Sequence, residues 1–366
     1  MQLLALTIQN YGGLRGWMKH FDGKHHYFNE YFTQLLENEP REIRNFLLRT
    51  AVMEDFDDSY CLALSDKEKF REVINRHWFV IKEGGKYRYE PLFRAFLQKE
   101  FRAMTKATRQ MEYARASAWC AGNGKPADAV DLALLAGDGQ KAASLIIQFV
   151  PEFLKGDSFD EPDRWTGLLN MVHGRKKAKL LLFYCWISYL KRNFAGLSEF
   201  LEETGQFIAE EELPNAYKGE LLLLRSLTSL AIKDIEGAKD YGDAAFSILQ
   251  NGGVYFDLEI NMNAREALLT RGGIGLDGRP GSAVSYYRHL RKYRTIIPEA
   301  MKGYGLATFA DALYEANKIE EAWHASQKAL EIAGKYENAS MLIPAVVVHT
   351  KILQKKRNFA KALAVI

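Results

Sequence analysis

NFAGLSEF at 193–200, DIEGAKDY at 234–241, KIEEAWHA at 318–325 and NFAKALAV at 358–365 are four copies of one phrase. A looser copy, RPGSAVSYY, lies at 279–287. Aligned on the fifth position, they put Leu197, Ala238, Ala283, Ala322 and Ala362 in register, 41, 45, 39 and 40 residues apart. A small or apolar residue that recurs at a fixed period marks the crossing of two helices in a stacked array, because a larger side chain there would hold the helices apart. Such arrays bind other molecules on their surfaces, so function is to be sought in a surface or hollow and not in a catalytic constellation.

The chain has 366 residues, enough for two or three units. Hydrophobic residues make up 48% and aromatic residues 12%, which supports packed cores and excludes a disordered composition. The net charge is only +3, yet residues 67–109 hold twelve Lys/Arg against five Asp/Glu. Cys61, Cys120 and Cys185 are far apart and sit in apolar patterns, so neither a disulfide framework nor a zinc site is predicted and a cytoplasmic location is expected. The longest uncharged apolar run, Leu180 to Leu190, is too short to span a bilayer and suits a buried helix. Met1 opens without a basic region or small-residue cleavage site, so no signal peptide is predicted and no membrane partner is expected.

Residues 1–18 read as a short apolar helix, and 19–28 as a polar loop. Helices are predicted over 29–37, 41–51 and 66–76. In HWFVIKEGGKYRYEPLF (77–93), strand-forming residues flank a Gly84-Gly85 turn, and Pro91 ends the return strand before a helix over 92–101. Three helices followed by one hairpin is the winged-helix plan. Short helices over 113–121, 127–136 and 140–149 then alternate with glycine turns, and Ile260–Thr270 reads as a helix of the array. The fold class is therefore mainly α, a winged-helix module followed by an α-α superhelix of TPR-like repeats. Standard tetratricopeptide units have about 34 residues, so the longer period implies longer helices or loops such as 271–281. The expected boundaries are 1–28 for a remnant helix and loop, 29–105 for the winged helix, 106–175 for a short-helix connector and 176–366 for the repeats, truncated at the C-terminus.

Several motifs fail on context. Gly273-x-Gly275-x-x-Gly278 has the dinucleotide spacing but follows a helical pattern instead of a strand, so it reads as a loop. GNGKP at 122–126 lacks the upstream glycine and the Ser/Thr of a phosphate-binding loop. His25-His26 has no further ligands nearby, so neither a metal nor a catalytic residue is predicted and the chain is not expected to be an enzyme. The basic helix KEKFREVINRHW (67–78) interleaves Glu68 and Glu72, which would repel phosphate, and reads as a packing helix more than a DNA reader. The face of an array lined by the first helix of each repeat is the natural binding surface. It is expected to carry Tyr304, Asp311 and Tyr314, with Arg265 and Glu220 from preceding units, as ligand- or partner-binding residues, although the tyrosines suit helix packing equally well. Substitution of Arg265 or Asp311 is expected to weaken effector binding without unfolding the array.

Three phrases in order carry a family resemblance. EYFTQLLENEPREIRNFLLRTAVMEDF (30–56), WFVIKEGGKYRYEPLFRAFLQKEF (78–101) and YARASAWCAGNGKPADAVDLALLAGDGQKAASLI (113–146) resemble the central part of the MalT-like, LuxR-type, ATP-dependent transcriptional regulators. Glu90 and Pro91 stand where that family has two histidines, and Cys120 and Ala121 where it has a tyrosine and an acidic residue. The resemblance is good over 29–150 and looser in the repeats. It implies a signal-sensing and oligomerisation region that binds a small-molecule or protein effector in a TPR-like superhelix, with self-association. No cofactor is expected in this chain, since the resemblance assigns ATP to an upstream module and DNA binding to a C-terminal helix-turn-helix, both outside it. The alternative is a TPR scaffold for protein-protein interaction with no transcriptional role.

Overall fold

The computed structural model describes residues 26–64, 72–73, 79–156, 159–265, 267, 269 and 280–365. The helices expected over 1–18 and 66–76 (apart from Glu72 and the buried Val73), His25, and the glycine-rich stretch 271–279 lie outside the described residues. The chain divides into two compact units, Met1–Gly137 and Asp138–Ile366. That division falls inside the stretch expected as a connector.

In the first unit, α1 (His26–Glu37), α2 (Arg41–Thr50), β1 (Phe56–Asp57), α3 (Asp58–Leu64), β2 (Val80–Glu83), β3 (Lys86–Tyr89) and α4 (Pro91–Ala103) form the winged helix. Apolar residues at helical spacing, Ile43, Phe46 and Leu47 on α2 and Phe93, Phe96 and Leu97 on α4, are buried. Phe32 meets the rings of Phe93 and Phe96 at 5.1 and 5.4 Å, inside the range where aromatic pairs attract. β2 and β3 pair antiparallel with Val80 opposite Tyr89 and Glu83 opposite Lys86. Gly84 and Gly85 turn the chain at φ +58° and +81°, the left-handed pair that a two-residue hairpin needs. Along β3, Tyr87 and Tyr89 face the core while Lys86 and Arg88 face solvent. The sheet has a third member not expected from sequence: β1 pairs with β3 through Phe56 and Tyr87, giving the order β1-β3-β2. At two residues, β1 is too short to leave an alternating pattern. The Tyr89 hydroxyl meets Thr50 Oγ1 at 2.6 Å and ties the sheet to α2. α5 (Lys106–Gly122) and α6 (Pro126–Leu135) complete the unit as a helical hairpin.

The second unit starts with α7 (Gly139–Gln148), α8 (Val150–Lys155) and α9 (Asp160–Asp163), then α10 (Gly174–Leu190). Every residue from Leu180 to Leu190 is buried, because α10 packs against α7, α8, α11 (Phe194–Glu210) and α12 (Asn215–Ala231). α12 pairs with α13 (Ile235–Leu249), α14 (Pro280–Leu290) with α15 (Glu299–Glu315), α15 with α16 (Ile319–Tyr336), and α16 with α17 (Ala339–Lys355), which is followed by α18 (Phe359–Val365).

The repeated phrase is one turn used four times. Arg192, Lys233, Asn317 and Arg357 each adopt left-handed φ, at 62°, 72°, 57° and 57°. The next residues, Asn193, Asp234, Lys318 and Asn358, donate their N–H to the carbonyls of Ser188, Ser229, Leu313 and Leu353 at 2.8–2.9 Å, closing the first helix. Asn193, Asp234 and Asn358 then accept from Gly196, Gly237 and Lys361 N–H, opening the second helix. The fifth positions, Leu197, Ala238, Ala283, Ala322 and Ala362, are all buried. Gly303 on α15 is needed for the same reason of space: a Cβ there would collide with Met341 on α17 and Ile332 on α16.

Residues 260–265 are irregular instead of helical, correcting the helix expected from Ile260 onward. Their polar groups are satisfied by distant partners: Asn261 N–H donates to the Leu154 carbonyl at 2.8 Å, and Arg192 donates to the Met262 carbonyl at 3.0 Å. These tertiary bonds replace the i to i−4 ladder.

Candidate functional site

The five residues expected to bind a ligand are not brought together. Glu220 is fully buried. Its carboxylate accepts from Trp186 Nε1 at 2.7 Å and from the backbone N–H groups of Val254, Tyr255 and Phe256 at 2.6, 2.7 and 3.2 Å. Burial pushes this carboxyl up from its ordinary value, and the four donors pull it back. Asp311 is buried on α15 and takes Lys351 of α17 at 3.2 Å, so substituting it acts first on helix packing. Arg265 is half-exposed, 3.6 Å from Asp160. Tyr314 packs half-buried against the core around Ala310, Leu313 and Ala322. Tyr304 is buried, and Asn338 Nδ2 donates to its hydroxyl at 3.3 Å. It alone of the five lines the cavity described next.

That cavity, about 760 Å³, opens within the second unit among α12, α13, α14, α15 and α16. Leu227 and Leu230 come from α12, Phe246 from α13, Tyr286, Tyr287 and Leu290 from α14, and Met301, Leu306 and Phe309 from α15. Volumes of this order hold a single small organic molecule. Arg291, Arg294, Lys302 and Lys328 supply the cationic lining, with Glu321 as its acid and His324 beside them. Glu321 is engaged by Arg288 at 2.6 Å, which holds its carboxyl below the usual range. Beside the cavity, Asp243 accepts from His289, Tyr293 and Lys292 at 2.7, 2.8 and 2.8 Å and fixes α13 to the end of α14. Burial raises the Asp243 carboxyl, but these donors outweigh it and the net shift is downward. Sequence reasoning missed most of this lining. The signal present was the run YYRHLRKYR at 286–294, two aromatics followed by alternating cations.

Nothing in the described residues groups three metal-ligating side chains. Burial pushes the thiols of Cys120 and Cys185 up to about 12, so they stay protonated and are poor nucleophiles. Among the described residues, no helix is long and apolar enough to cross a membrane.

Comparison with known proteins fits this architecture. Residues 32–110 match the MalT winged helix domain. The chain is 19% identical over 343 residues to the HTH-type transcriptional regulator MalT of Klebsiella pneumoniae, covering 91% of this chain and 37% of the regulator. The chain is thus similar to MalT at low identity over most of its length. MalT of Vibrio cholerae is 24% identical across 69% of the chain and 29% of its own length. The serine/threonine-protein kinase PknK of Mycobacterium tuberculosis is also 24% identical, across 66% of the chain and 23% of the kinase. The chain spans between about a quarter and somewhat over a third of the length of these curated relatives. Among solved structures, a signal transduction ATPase with numerous domains and a tetratricopeptide repeat sensor, from Pyrococcus horikoshii, shares the fold with a TM-score of 0.58. That match has 17% identity and covers 92% of this chain and 51% of the other. TPR-like helical repeats are common ground with that protein.

Proposed function

We propose that this chain is the signal-sensing and assembly region of a MalT-like, LuxR-type transcriptional regulator, and that its helical repeats bind an effector. The observation that carries the reading is the cavity of about 760 Å³ among those repeats, in a chain whose winged helix matches that of MalT. An effector held by five helices at once has differential affinity for one arrangement of the stack, which is what couples binding to self-association. The region itself performs no chemistry. The ATPase and kinase activities named for relatives belong to those proteins, and nucleotide and DNA would engage modules outside this chain. The setting is cytoplasmic.

Thermal unfolding of the chain against a metabolite library tests this, with light scattering to follow its oligomeric state. A bound effector raises Tm by mass action and changes the scattering mass. If no small molecule shifts either quantity, the effector reading falls. A second reading, a protein-docking scaffold, draws on Ile343, Phe359 and Leu363, which are 61%, 61% and 76% exposed on α17 and α18. Retention of a partner protein with no response to any metabolite favours it.

A further inference from the structure

We infer that the cavity takes an amphipathic organic anion, an apolar aliphatic or aromatic body ending in a carboxylate. The inference rests on the sensor reading above and names the ligand class for that site.

The walls come first. Leu227, Leu230, Tyr287, Leu290, Leu306 and Phe309 line the cavity, and each is only half-buried, so an apolar body would remove their remaining surface from water. Polar groups deep in the lining are already committed. The Tyr304 hydroxyl takes Asn338, and Thr308 Oγ1 donates to the Tyr304 carbonyl at 3.2 Å. A polyol would therefore lose its water without gaining partners in the depth of the site.

Charge then selects the head group. Cations in and beside the lining fall into two sets. Arg288 is paired with Glu321, Lys292 with Asp243, and Lys328 with Glu331. Arg291, Arg294 and Lys302 line the cavity and have no carboxylate within ion-pair distance among the described residues. Arg291 and Arg294 follow α14 at a spacing of three, while Lys302 approaches from the first turn of α15. Three cations that line one apolar hollow without a carboxylate at ion-pair distance complement an anionic head, and guanidinium groups bind carboxylates through paired N–H donors. The lining acid offsets only part of this charge: Glu321 is bonded by Arg288, and its carboxylate also feels Arg291 from beyond ion-pair distance.

Titration calorimetry on the full chain distinguishes the classes, using decanoate, 1-decanol and decyltrimethylammonium, which share a body and differ in head. Decanoate is expected to bind about tenfold or more tighter than 1-decanol, as charge-assisted bonds to the head imply, and the cation is expected to bind weakest. The double variant Arg291→Glu/Arg294→Glu should lose that tenfold for decanoate and leave 1-decanol nearly unchanged. Gly305→Phe, on the cavity face of α15, should lose both, with circular dichroism confirming that the variant is folded. Decanoate binding no tighter than 1-decanol, or indifferent to the charge reversal, overturns the ligand class. If a neutral metabolite stabilises the chain and Gly305→Phe removes that effect, the anion proposal fails while the sensor reading stands.

Discussion

Trp186 on α10 donates its indole N–H to Glu220 on α12 at 2.7 Å, and the second oxygen of that buried carboxylate holds the N–H groups of three successive residues, 254–256. One side chain thereby joins two stacked hairpins to the irregular stretch that follows α13. It does so through four donors that take the place of water around the carboxylate.

Removing that carboxylate should be costly. Glu220→Ala orphans four buried neutral donors and is expected to destabilise the second unit by about 3 kcal/mol or more, since each buried donor left without a partner costs about 1–3 kcal/mol. Glu220→Gln keeps the shape but turns an N–H₂ toward one set of donors, for about 1–3 kcal/mol. Urea unfolding followed by circular dichroism measures both. A Gln variant as stable as the parent would show that the carboxylate is not ionised.

Ala238 is fully buried where α13 crosses α12, and its carbonyl accepts from Ser226 Oγ at 2.6 Å. Ala238→Leu adds methylenes with nowhere to go, so a loss of about 1–3 kcal/mol is expected. Ala244→Leu, on the exposed face of the same helix, should change stability by roughly 0.5 kcal/mol or less. Equal effects from the two substitutions would remove the crossing from the account of the period.

The phrases at 193, 234, 318 and 358 were legible because each follows a left-handed residue and carries a small or apolar residue at the crossing, and three of the four begin with an Asn or Asp that opens the next helix. The β2–β3 hairpin was legible for the same local reason, through Gly84-Gly85. What failed to show in the sequence is set by distant partners. Ile260 to Arg265 has an apolar pattern compatible with a helix, yet its backbone is claimed by Leu154 and Arg192. The cavity was hidden likewise. Which face of α14 or α15 meets the hollow depends on how neighbouring hairpins stack, so Tyr304 was named while Arg291, Arg294 and Phe309 were not. Glu220 and Asp311 were picked as polar residues on first helices, and stacking turned both inward onto Trp186 and Lys351.

Asn317 carries the left-handed turn between α15 and α16, at φ 57°. Asparagine tolerates this region, whereas a β-branched side chain clashes with its own backbone. Asn317→Val is therefore expected to cost about 1–2 kcal/mol, and Asn317→Gly only a few tenths in either direction. Thermal unfolding of the pair decides this. A valine variant matching the glycine one would mean that the turn adopts another conformation in solution.

His349 on α17 introduces a pH dependence whose sign follows from its surroundings. It is buried, its Nδ1 lies 2.9 Å from Ser326 Oγ, and its ring lies 4.6 Å from that of Trp323. Burial penalises the imidazolium and holds the His349 pKa below the ordinary value of 6.5. The folded state therefore binds a proton less readily than the unfolded chain, which protonates first as the pH falls. Stability from this group is complete above about pH 6.5, declines as the pH drops below it, and levels off under the folded-state value. His349→Phe keeps a ring beside Trp323 and cannot titrate. The fall in Tm between about pH 7.5 and pH 5.5 should be smaller in His349→Phe than in the parent, because one of the groups that titrate across this range is gone. An unchanged difference would mean that His349 titrates alike in the folded and unfolded chains, and would place it in contact with water.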